Sequence, residues 1–162
     1  MVTIYKLTDE RMQTHGGFQW ELGKPAPELR EGKACSEHAY HWYADLLLAV
    51  FLNPIHANFK NPRLFRGLGK QTGTDGLKCW GTTCTIIEEL PLPHVTLNQC
   101  VAFGILVSLE VPQSDAYKQW ATNWLNGNDR GATAARATAW AAEAAKNATI
   151  NLSALAEKAM AI

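Results

Sequence analysis

The hydrophobic and polar positions change period along this chain, and the change divides it. Thr3 to Leu7 alternates in the two-residue rhythm of a strand, and Phe18 to Leu22 follows the turn signal His15-Gly16-Gly17. Gly23 to Lys33, with Pro25, Pro27 and Gly32, reads as a loop. From His41 to Leu52 the spacing becomes helical, with Leu46, Leu47, Ala49, Val50 and Phe51 on a wide apolar face that Pro54 brings to an end. Arg63 to Leu68, Leu77 to Trp80 and Thr82 to Leu90 are expected strands, with Gly67, Gly69, Gly73, Gly76 and Gly81 as breaks.

Beyond these the pattern is helical. Thr96 is a suitable N-cap for a helix from Leu97 to about Val111, apolar nearly all round and therefore expected in the core. Ser114 caps the next helix, whose stripe of Ala116, Tyr117, Trp120, Ala121, Trp124 and Leu125 runs up to Gly127. Alanine dominates from Gly131, and Asn151 or Ser153 can cap a last short helix. The expected fold is α+β: a small, mostly antiparallel sheet with one packed helix over residues 1–112. An alanine-rich region of three to four helices follows over 113–162. The alanine run has two readings. It is either a stable surface helix or a tail through which copies of the chain form a homo-oligomer.

Composition narrows the partners. Fifteen basic residues balance fifteen acidic ones over 162 residues, so no whole-molecule field draws the chain onto a nucleic-acid polymer or an anionic membrane. The apolar runs Leu46–Leu52 and Val101–Val107 are too short to span a bilayer, and no leader is expected. The cysteines Cys35, Cys79, Cys84 and Cys100 are therefore read as thiols of a cytosol, the host's if the chain is viral.

The densest chemistry is Cys35-Ser-Glu-His38-Ala-Tyr-His41-Trp-Tyr43. Cys35, His38, His41, Cys79 and Cys84 are the residue types of a zinc site, but their spacing matches no closed zinc motif, and no metal is expected. No nucleophile motif or phosphate-cradling glycine loop is legible, so no catalytic residue and no cofactor is assigned. A ligand pocket suits the inventory better. Trp20, His41, Tyr43 and His56 supply flat rings, Arg63, Arg66 and Lys78 supply cations, and Asn53 an amide. Rings that stack a base, with cations on its phosphates, are the usual physics of nucleotide capture.

Several blocks also resemble a family of small phage and prophage proteins of uncharacterised activity. They are Ile4-Tyr-Lys-Leu7, Met12-Gln-Thr-His-Gly-Gly-Phe-Gln-Trp20, Leu47-Leu-Ala-Val50, Leu52-Asn-Pro-Ile-His-Ala57, Pro62-Arg-Leu-Phe-Arg66, Gly76-Leu-Lys78, Glu89-Leu-Pro-Leu-Pro93 and Gln99-Cys-Val-Ala-Phe-Gly-Ile105. The chain departs from that pattern after Cys35, where Ser36 to Tyr40 fills the gap before His41. The resemblance implies a phage origin. With the ring-and-cation inventory, it leads to the expectation of a counter-defence protein that sequesters a nucleotide-type host immune signal. Two alternatives stay open: a protein–protein inhibitor or structural phage protein, and an ADP-ribosyltransferase-like enzyme using His41, Tyr43 and Glu88 or Glu89.

Overall fold

A computed structural model describes residues 1–30, 38–128, 130 and 150–162. By their internal contacts these fall into two compact units, Met1–His94 and Val95–Ile162. The fold is α+β, with the strands in the first unit. The sequence pattern put the change of character after residue 112; in the structure the helix beginning at Leu97 belongs to the second unit.

The first unit is a four-stranded antiparallel sheet in the order β1-β5-β6-β4, where β1 is Val2–Thr8, β4 Tyr40–Trp42, β5 Arg63–Thr74 and β6 Cys79–Leu90. A two-stranded ribbon of β2 (Gln13–Thr14) and β3 (Phe18–Gln19) turns through His15–Gly17. The sheet curls back on itself. Just past β4, Tyr43 exchanges both backbone hydrogen bonds with Tyr5 on β1, at 2.8 and 2.9 Å. Register shifts between Arg66 and Gly67 and on either side of Gln71 supply the curvature, as bulges do.

Two sequence expectations change here. The glycine-punctuated strands merge into a single long hairpin, because the glycines mark close approach rather than interruption. A Cβ at Gly81 would overlap the Lys70 carbonyl oxygen, and one at Gly67 the Thr85 carbonyl oxygen. The helix expected from His41 is shorter, α1 (Leu46–Phe51), and His41 lies in strand β4. Two features explain this. Asp45 caps the helix by accepting from Leu47 N at 2.7 Å and Leu48 N at 3.2 Å, and Tyr40 and Trp42 alternate into the sheet's core.

That core gathers Ile4, Trp20, Tyr40, Trp42, Phe65, Cys84 and Ile86, with Phe18, Met12 and Leu29 against it. The proline-rich loop is a strap along β6. Gly23, Ala26 and Leu29 donate their N–H groups to the carbonyls of Ile86, Cys84 and Thr82 at 2.8–2.9 Å. An extended three-residue rhythm suits a segment in which Pro25 and Pro27 have no N–H to give, and it covers an otherwise open sheet edge.

In the second unit, α2 (Leu97–Leu109) starts at a capping box: Thr96 Oγ1 accepts from Gln99 N, and Gln99 Oε1 accepts from Thr96 N. Helix α3 (Asp115–Leu125) is capped by Ser114 and ends at Gly127, whose φ is +78°. Helix α4 (Leu152–Met160) is capped by Asn151 and packs on α2, with Gln99 Nε2 donating to the Met160 carbonyl at 2.9 Å. The alanine run over 131–149, and with it the self-association expected there, lies outside the described residues, as does Cys35. Among the described residues no helix is long and apolar enough to cross a membrane.

Candidate functional site

Strand β4 sorts its side chains by alternation. Tyr40 and Trp42 enter the core, so His41 and Tyr43 take the opposite, outer face. The Tyr43 hydroxyl lies 2.8 Å from His56 Nδ1, and the two rings are 5.9 Å apart and 17° from parallel. His56 rides on the loop that leaves α1, its N–H bonded to the Leu52 carbonyl at 3.0 Å. Asn53 builds that loop. Its amide donates to the Phe59 carbonyl and accepts from Phe59 N, both at 3.0 Å, while Asn58 takes a φ of +52°.

The β5–β6 turn completes the cluster. Asp75 Oδ1 accepts from Leu77 N and Lys78 N at 3.0 and 2.8 Å, and the charges of Asp75 and Lys78 act on both imidazoles. Burial, followed by the cations Lys78 and Lys6, holds His41 down at about 4 against the pull of Asp75. Burial and then Lys78 also lower His56, while burial and then Asp75 push the Tyr43 phenol well above its ordinary value. At neutral pH the cluster therefore presents two uncharged imidazoles and a protonated phenol beside Lys78 and Asp75.

Of the sequence-selected residues, Tyr43 and His56 are in contact, His41 and Lys78 lie within electrostatic reach of His56, and Asn53 shapes the loop without offering its amide. Trp20 does not join them. It is 2% exposed, its Nε1 donates to Thr14 Oγ1 at 2.9 Å, and its ring sits edge-on to Phe18 and Tyr40. A ring so enclosed has no face left for a base. Arg63 and Arg66 lie elsewhere on the sheet, paired across the strands with Glu89 and Glu88. The Arg63 fork is bidentate and holds the Glu89 carboxyl below its usual range. An open groove lined by Pro62, Leu64, Leu90, Pro91 and Leu92 runs beside that pair.

Glu88 and Glu89 also bear on the enzyme alternative. His41 pairs with Trp80 near the start of β6, and the glutamates are near its end, on the order of 25 Å along a strand rising about 3.3 Å per residue. The His-Tyr-Glu grouping does not converge. Nor can His41 share a metal with Cys79 and Cys84, which face the core from the opposite side of the sheet; among the described residues no metal-ligating group gathers.

Two residues that sequence reasoning missed matter to the site. Asp75 was legible only as part of an Asp-Gly turn. Lys6 sits at an inward position of the alternation Ile4, Lys6, Thr8, and is 6% exposed. Its Nζ donates to the His41 carbonyl at 2.6 Å and lies 4.5 Å from the centre of the Trp20 ring. Burial brings its pKa down to about 8, partly offset by Cys84, whose thiol burial pushes up to about 11. Lys6 thereby ties the core to the backbone of the residue that heads the outer cluster. A comparison of the chain with protein families, curated proteins and solved structures finds no match.

Proposed function

We propose that the first unit is a binding module for a nucleotide-type ligand, with His41, Tyr43, His56 and Lys78 as its receptor. The observation that carries the reading is the Tyr43–His56 contact beside the curled sheet, with His41 and Lys78 within electrostatic reach. Half-buried imidazole rings offer stacking surface, worth on the order of 1–3 kcal/mol per base. The lysine supplies a point charge for phosphate. The Asp75 carboxylate is engaged by two turn N–H groups, from Leu77 and Lys78, at 3.0 and 2.8 Å.

The biological form of the proposal is a phage-encoded protein that removes a host immune signal from solution by holding it. Capture needs affinity and copy number rather than turnover. A nanomolar complex corresponds to about 12 kcal/mol, which a preorganised pocket can supply. Calorimetry against cyclic dinucleotides and cyclic ADP-ribose isomers tests it. The expected result is tight binding of at least one compound that His41→Ala and Lys78→Ala each weaken; an inert panel defeats the reading.

A second reading, a surface for protein partners or for further copies of the chain, draws on Val2, Leu68 and Ile87, each 39–49% exposed on the sheet. It predicts a concentration-dependent mass by light scattering, lost in Ile87→Glu. A mass independent of concentration in the parent chain removes that support.

A further inference from the structure

The Tyr43–His56 contact fixes more than a distance. Tyr43 is 8% exposed, and a buried phenol must place its proton on an acceptor. His56 Nδ1 at 2.8 Å is the hydrogen-bond partner its hydroxyl has. If Nδ1 carried a hydrogen, the phenol oxygen would accept it and its own proton would be orphaned in the interior, a loss of roughly 1–3 kcal/mol by general experience. Nδ1 must therefore be bare. A neutral imidazole with a bare Nδ1 carries its hydrogen on Nε2, at the opposite edge of the ring from the hydroxyl. No side chain or backbone group among the described residues takes that Nε2–H, and His56 is half-exposed.

We infer that Tyr43 locks His56 as the neutral Nε2–H tautomer, making it a specificity-determining donor that selects ligands presenting acceptor oxygens, phosphoryl or carbonyl, over metal cations. The inference rests on the receptor proposed above and supplies what that proposal lacked, a sign for the ligand's contact atom. A protonated ring nitrogen has no lone pair for a metal, so the same lock that creates a donor removes a ligand. The surroundings favour the neutral ring: burial and then the Lys78 cation, from the β5–β6 turn, oppose a positive charge, the pKa of His41 on β4 is itself lowered, and among the described residues Asp75 pulls the other way. Tyr43 is then a positioning residue, acting on ligand through His56.

Long-range proton–nitrogen NMR of the full chain reads the tautomer directly, with His56→Gln assigning the signals. The expected spectrum has His56 with a bare Nδ1 and a protonated Nε2, and mixed tautomers in Tyr43→Phe. A protonated Nδ1 in the parent chain overturns the inference whatever any ligand does. Inorganic pyrophosphate and Zn²⁺ then serve as probes. Pyrophosphate is expected to shift the Nε2 signal, and Zn²⁺ to leave it in place. His56→Leu, which deletes the donor, should weaken pyrophosphate by about 10- to 100-fold, the range for a hydrogen bond to a charged group, whereas Tyr43→Phe, which leaves a mixed ring, should weaken it by about 2-fold. His56→Gln, which keeps an amide N–H near the Nε2 position, should recover part of that loss. Zinc capture through His56, or indifference of its Nε2 to pyrophosphate, overturns the donor role. The two readings fail separately. A protonated Nδ1 in a parent chain that still binds a nucleotide sinks this inference alone, whereas the expected tautomer and pyrophosphate response with an inert nucleotide panel sinks only the nucleotide assignment.

Discussion

Replacing Lys6 by methionine should remove a contribution to the first unit's stability that grows with pH in the parent chain. Lys6 is enclosed in the core, and burial lowers its pKa from 10.5 to about 8. Above pH 8 the folded chain releases this proton while the unfolded chain, at 10.5, keeps it. The unfolded state then binds more protons, so stability rises with pH through that window. The slope approaches about 1.4 kcal/mol per pH unit, and integrating from pH 7 to pH 9 gives about 1 kcal/mol. For a chain of this size that is a rise in Tm of about 2–4 °C.

Methionine keeps the length of the apolar stem and removes the charge. At pH 7 two effects oppose each other. Removing the desolvated charge returns up to about 3 kcal/mol, while leaving the His41 carbonyl without its donor costs about 1–3 kcal/mol. The variant should therefore be about as stable as the parent at pH 7 and fall behind it at pH 9. Urea denaturation followed by tryptophan fluorescence at pH 7, 8 and 9 measures this. Taking the difference between the two proteins cancels the rising ionisation of the unfolded cysteines. Parallel curves across the three pH values would mean that the ammonium is hydrated and that the reasoning is wrong.

Other outcomes follow from the same contacts. Gly81→Ala should destabilise the first unit by about 1–3 kcal/mol or more in denaturant melts, because the Lys70 carbonyl in its way is backbone and cannot rotate aside; a loss below that range would show the hairpin to be looser than described. Acid should weaken the fold as pH drops from 6.5 toward 4, since the unfolded chain takes up a proton at His41 that the folded chain refuses until about 4; His41→Gln should flatten that limb of a Tm-against-pH plot. Arg63→Ala should leave both Tm and ligand affinity nearly unchanged, for its partner Glu89 is exposed and distant from the imidazoles; a large affinity loss would move the receptor to the groove beside Pro62. Asn53→Ala should release the loop that carries His56, lowering affinity with little change in the spectra of β5 and β6.

How much of this was legible in the sequence depended on the range of the interaction involved. Caps are local. Thr96, Ser114 and Asn151 each satisfy an N–H three residues on, so all three helix starts could be read from residue types and spacing. The sheet is not local. Gly81 looks like a break until Lys70 and Trp42 are brought against it, and two or three residues of alternation in Tyr40–Trp42 are too few to overrule the helical rhythm that follows them. The expected receptor residues divided for the same reason. Counting rings and cations treats every one as equally available, but availability is decided by which face of a strand a residue takes and what lies opposite.

That principle also explains which half of the inventory came together. Along β4 Tyr40 and Trp42 point inward, where the Tyr40 hydroxyl donates to the Pro27 carbonyl, and His41 and, just past the strand, Tyr43 point to the other side. Along β5, Arg63 and Arg66 find carboxylates on the neighbouring strand before any ligand can claim them. An arginine opposite a glutamate is therefore a poor candidate for phosphate capture, whatever its motif. A histidine held neutral by burial and aimed by a phenol is a better one, because its hydrogen-bonding direction is set before a ligand arrives. Lys6 on β1 holds the His41 carbonyl of β4 from the core side, so the buried charge and the outer cluster meet at one residue. Lys6→Met, which removes that tether, should then be felt both in the pH dependence of stability and in the signals of the imidazoles.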